Sequence, residues 1–133
     1  MDVKIKPAAG GEFLGVAAAA DAVTAAFLNE LIDAVGDYLA RRQFRYVKIL
    51  LIITAPRAEL SITETYQAWQ RASQRGISHT QIAYVMDGRP LSTLAKFVEA
   101  IAQNRRILLR FFEHRDAALE WLTVESSGNG RVA

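Results

Sequence analysis

Between Tyr46 and Thr54 the chain reads YVKILLIIT. The run is rich in β-branched residues and nearly continuous in its hydrophobicity, as a strand covered on both faces must be. Pro56 closes it. Such a strand needs a layer above it and a layer below it. It therefore points to an α/β domain with a largely parallel sheet.

The rest of the chain supplies those layers. Val3–Lys6 (VKIK) alternates apolar and polar residues and predicts a short strand, broken by PAAGG. Glu12–Ala20 (EFLGVAAAA) reads as its hairpin partner. Asp21 is placed to cap a helix running from Val23 to Arg42, with Leu28, Leu31, Ile32, Val35 and Leu39 at helical spacing. After the central strand, Ser61 and Glu64 have the spacing of a capping box for a helix reaching about Gln74, and Gly76 is its stop. Gln81–Met86 (QIAYVM) is the next strand, Asp87–Pro90 a turn, and Leu91–Gln103 a helix with Leu94, Phe97, Val98 and Ile101 on one face. Arg106–Phe112 (RILLRFF) predicts the last strand and Asp116–Leu122 the start of the last helix, its apolar face carrying Ala118, Trp121 and Leu122. The order is ββαβαβαβα, with right-handed crossovers. Glu125–Arg131 has a mobile composition, so residues 1–124 are expected to form one domain and 125–133 a flexible tail.

A chain of 133 residues is one domain's length and buries a sizeable core without staples. Its longest apolar runs, Val16–Ala20 and Ile49–Ile53, fall far short of the roughly 20 residues that span a bilayer. The opening MDVKIKPAAGG has no apolar segment of a signal peptide, and cysteine is absent, so the expectation is a cytoplasmic protein without disulfides or thiolate chemistry. The net charge is only +2. Many cations (Arg41-Arg42, Arg71 with Arg75, Arg105-Arg106) fall where helices should end and complement the helix dipole, without interleaved aromatics to stack on bases. Nucleic acid is therefore not an expected partner.

The segments FLGVAAAADAVTAAFLNEL, RYVKILLIIT, HTQIAYVMDG and RILLRFFEHRDAALEWL together resemble the SpoIIAA-like family, a branch of the STAS-like fold linked by shape to Sec14-type lipid carriers. The likeness spans about Val3 to Leu122 and implies a single STAS-like domain. In phosphorylatable members, an Asp-Ser-Ser-Gly-like turn at a helix N-terminus carries the switch serine. The corresponding stretch here, Ile53 to Ser61, lacks that signature, and Ser61 is the serine nearest the right place. Where many relatives carry tryptophan after the "IAYV" strand, this chain has Arg89-Pro90-Leu91.

His114-Arg115-Asp116 matches a kinase triplet in letters only; Asp116 falls in a first helical turn, so the triplet reads as a joint between strand and helix. His79 and His114 have no metal-ligand spacing. Glycine-rich phosphate loops and a Gly-x-Ser-x-Gly elbow are missing, so no catalytic residue, metal or cofactor is assigned. Ser61 is either a cap alone or a phospho-acceptor. Tyr66 and Trp69, three apart, share a helix face, either as core or as the wall of a small apolar pocket. The loops after Thr54 and Met86 leave C-terminal strand ends, where α/β sheets bind ligands, and Arg57, Asp87 and Arg89 are their polar content. The resulting expectation is a non-enzymatic regulatory or binding module. It would take a protein partner or a small apolar or anionic ligand at those loops. The alternatives are an anti-anti-sigma-type regulator switched at Ser61 and an enzyme acting on a small acid or lipid. Monomer and homodimer both stay open.

Overall fold

The opening alternation does form a hairpin: β1 (Asp2–Pro7) pairs antiparallel with β2 (Leu14–Ala19). The structure, a computed structural model, describes residues 2–8, 12–42, 48–77, 79–86 and 93–132. From β2 the chain does not enter the helix at once. Ala22–Val23 stays extended as β3 and pairs in parallel with Arg57–Ala58, β5, beyond the central strand. Helix α1 (Ala25–Arg42) therefore starts later than the sequence pattern places it, and its cap is Thr24 rather than Asp21. The Thr24 hydroxyl accepts a hydrogen bond from the Phe27 N–H at 3.1 Å, satisfying an otherwise orphaned donor of the first turn.

The central run is β4 (Lys48–Thr54), followed by β6 (Thr80–Val85) and β7 (Ile107–Phe112). Among the described residues the main sheet has five strands in the order β1-β2-β4-β6-β7, parallel except for the β1–β2 hairpin. The fold is thus α/β with a mixed, mostly parallel sheet. β4 lies between β2 and β6 with packed helices over both of its faces, which explains its unbroken hydrophobicity. Its side chains divide between two cores. Ile49, Leu51 and Ile53 join α1, α2 (Ile62–Ala72) and α3 (Thr93–Gln103) on one face. Leu50 and Ile52 face the other way, toward α4 (Arg115–Val132). Three crossovers stepping in one direction across the sheet put three helices on one side, as right-handed connections require. α4 reaches the opposite face after the last strand, and Ala118 and Leu122 are fully buried there against Leu50, Ala83 and Val85.

Two details depart from the sequence pattern. Trp121 is only half-buried, packed at the rim against Phe112 with the rings tilted by 47° and their centroids 5.6 Å apart. α4 runs on to Val132, through the stretch whose composition suggested a tail. After Ala72 the chain makes a π-helical turn, Ser73–Ile77, in which Gly76 takes φ +85° and so ends the helix. No described helix is long and apolar enough to cross a membrane.

Candidate functional site

Ser61 is the N-cap of α2, and the capping box is complete. Its hydroxyl accepts from the Glu64 N–H at 3.0 Å, while the Glu64 carboxylate accepts from the Ser61 N–H at 2.9 Å. Thr65 adds a third tie, donating its hydroxyl to the Ser61 carbonyl at 3.0 Å. Ser61 is exposed despite these bonds.

Arg57 lies in the short strand β5, between the C-terminal end of β4 and that helix. It is exposed, and its Nε donates to Glu59 at 2.6 Å. The hydrogen bond to Glu59 raises the guanidinium pKa further above its ordinary value. Arg57 is thus already matched by a neighbouring carboxylate, which weakens its pull on a free anion. Asp87 and Arg89, its expected companions, lie outside the described residues.

Tyr66 and Trp69 do not share a role. α2 turns Thr65, Ala68, Trp69 and Ala72 into the core. Arg71, on one flank, reaches across to Asp33 of α1 at 2.8 Å. Tyr66 sits on the opposite flank, toward α3, and is 45% exposed. The Arg105 guanidinium, just past α3, lies 4.6 Å from the centre of its ring. That arrangement is a cation–π contact. Among the described residues Arg105 has no carboxylate partner, and its buried Nε has no hydrogen-bond partner.

Two side chains that sequence spacing did not single out as surface groups complete this region. Ile62 follows the cap directly and is 57% exposed. Phe97, expected on the core face with Val98 and Ile101, is instead 46% exposed. Successive helical residues are about 100° apart, so Phe97 falls on the flank of α3 opposite Glu99. Glu99 points outward to accept from the Phe111 N–H of edge strand β7 at 3.0 Å. Phe97 therefore faces α2. Among the described residues four large hydrophobic side chains are exposed, and three of them, Ile62, Tyr66 and Phe97, border the α2–α3 seam. The signal for Ile62 and Tyr66 was available: once Ala68, Trp69 and Ala72 define the buried face, both fall off it.

The sheet edges offer less. β1 carries the exposed Lys4 and Lys6 and ends in Pro7, all of which discourage strand addition. On β7 the Glu99 carboxylate occupies the Phe111 N–H. Beside it runs a groove of about 490 Å³ that passes Lys96, Leu108, Arg110 and Trp121. His114 and Asp116 sit at the joint between β7 and α4, as the sequence predicts, with Asp116 in the first turn of α4. No group of three His, Cys, Asp or Glu side chains placed to hold a metal occurs among the described residues. Comparison of the chain with protein-family models, curated proteins and solved structures found no match. Its functional reading accordingly rests on the surface just described.

Proposed function

We propose that this chain is a small non-enzymatic binding module of the STAS-like kind its sequence resembles, and that its α2–α3 surface receives a protein partner. The single observation that supports this most is the grouping of Ile62, Tyr66 and Phe97 on facing flanks of adjacent helices, next to Arg105, which has no carboxylate partner among the described residues. Exposed aromatic and aliphatic side chains gathered in one place, with a cation beside them, are what an interaction surface presents. Arg105 selects the chemistry of the partner: an apolar side chain to fill the seam and a carboxylate to meet the guanidinium. A small anion at Arg57 is the less supported reading, because Glu59 already holds that side chain.

A second reading has its own support in Ser61. A phosphate on its hydroxyl would stand at the N-terminus of α2, where the helix dipole and free N–H groups favour negative charge. It would also repel the Glu64 carboxylate from the Ser61 N–H and so rearrange the surface beside Ile62. The same module would then be switched by phosphorylation, as an anti-anti-sigma-type regulator is.

The test is photo-crosslinking in the producing cell with a benzophenone side chain at position 62, 66 or 97, and at position 4 as a control on the far edge. The expected result is one discrete adduct, identified by mass spectrometry, from the first three sites and none from the control. Equal labelling at all four positions, or none at the first three, would overturn the reading.

A further inference from the structure

The main core is not completely filled. Between α1, α2 and the sheet lies a cavity of about 50 Å³ whose exposed lining is wholly apolar. Leu31 and Val35 of α1, Leu51 of β4, and Ala68, Trp69 and Ala72 of α2 contribute to it. Two of the three α2 residues facing it are alanines, so the space exists where the helix presents its shortest side chains. A void of this kind forfeits dispersion contacts on all its walls. Water does not make up the loss, since a buried water needs two to four polar partners and this lining offers none. An apolar guest does, because it restores the contacts without requiring a hydrogen bond.

The two helices that wall the cavity are held to each other at the surface by side chains. Arg71 donates from Nε and Nη2 to the two carboxylate oxygens of Asp33, at 3.1 and 2.8 Å, and Arg75 pairs with Asp33 and Asp37. All four side chains are more than a third exposed, so these ties are screened by solvent and salt. Ile32, which also borders the cavity, is only partly buried at the seam. A guest therefore has a short path inward that breaks no sheet hydrogen bond.

We propose that this cavity is a binding site for a single small apolar molecule, of the size of a xenon atom or a short alkane. The site is separate from the partner surface, which lies on the other flank of α2.

The experiment uses xenon as the probe. Methyl carbon–proton NMR spectra of the whole protein are recorded under rising xenon pressure, on the wild type and on Ala72→Val and Ala68→Val, each of which puts two methyl groups into the space. In the wild type the methyls of Leu31, Val35 and Leu51 should shift together along one saturable curve, while those of α4-facing Leu50 stay still. Both filled variants, if folded, should lose at least nine-tenths of that shift. Two variants guard against one that fails to fold, and the map of shifted methyls in the wild type decides the matter if both do. A linear, unsaturable response, shifts centred away from these residues, or the same curve in a folded filled variant would each overturn the proposal.

Discussion

Leu122→Ala should destabilise this protein more than Trp121→Ala, although tryptophan is the larger side chain. Leu122 is fully buried and packs α4 onto Leu50, Ala83 and Val85. Its nearest companions include Ala118 and Ala83, which are too small to collapse into the space left behind. The loss should therefore fall in the middle of the usual leucine-to-alanine range, about 3–4 kcal/mol. Trp121 is half-buried. Because part of its surface stays in solvent, it should lose roughly two-thirds of the 3–5 kcal/mol expected for complete burial, or about 2–3 kcal/mol, including its tilted contact with Phe112. Urea unfolding followed by far-ultraviolet circular dichroism measures both, with the slope against denaturant required to stay constant. For a domain whose total stability is of order 5–15 kcal/mol, the Leu122 variant should melt roughly 10–15 °C lower. A Leu122→Ala loss under about 1 kcal/mol, or a Trp121→Ala loss exceeding it, would mean that α4 does not cover the sheet as described.

Ser61→Ala should cost about 0.5–2 kcal/mol through the lost cap, whereas Ser61→Asp should be nearly neutral in stability; thermal melts of the three proteins check this. Gly76→Ala should cost about 1–2 kcal/mol by forcing a Cβ into the left-handed region, with no steric clash to add, and Gly76→Asn should recover part of the loss in the same melts. Asp33 has its pKa held below the ordinary carboxylate value, chiefly by the hydrogen bond from Arg71. A depressed folded-state pKa means the charged form stabilises the fold above the unfolded value and loses that effect as pH falls through the folded one. The stability gap between wild type and Asp33→Asn should thus be present at neutral pH and close in acid below about pH 4, as read by denaturant titrations at several pH values. Arg105→Glu should weaken the crosslinked partner's binding more than Arg57→Glu does, measured by calorimetry, because Arg57 is already paired.

The doubly covered strand was legible in YVKILLIIT because burial on both faces leaves no room for alternation, and β4 does send side chains into a core on each face of the sheet. Ser61 was equally legible, since a capping box is local chemistry set by a spacing of three residues. The start of α1 was not. Ala22–Val23 stays extended because of Arg57–Ala58, a segment distant in sequence that no local pattern reports. Phe97 misled for a different reason. Its spacing from Val98 and Ile101 fits a broad apolar stripe, and such a stripe does not say which margin is buried. The three-residue spacing of Tyr66 and Trp69 suggests a shared face for the same cause, and the helix turns only one of them inward. The ties from Arg71 and Arg75 to Asp33 and Asp37 join separate helices. In sequence those arginines look like helix-end cations, which Arg71 also is.

The most direct measurement is a calorimetric titration of the protein captured at position 62 against wild type, Ile62→Asp and, as the control, Lys4→Ala, with circular dichroism confirming that each is folded. A charge placed in the α2–α3 seam should weaken binding at least tenfold, about 1.4 kcal/mol, while the control binds as the wild type does. Undiminished binding by folded Ile62→Asp would contradict the assignment of this surface, as would an equal loss in Lys4→Ala.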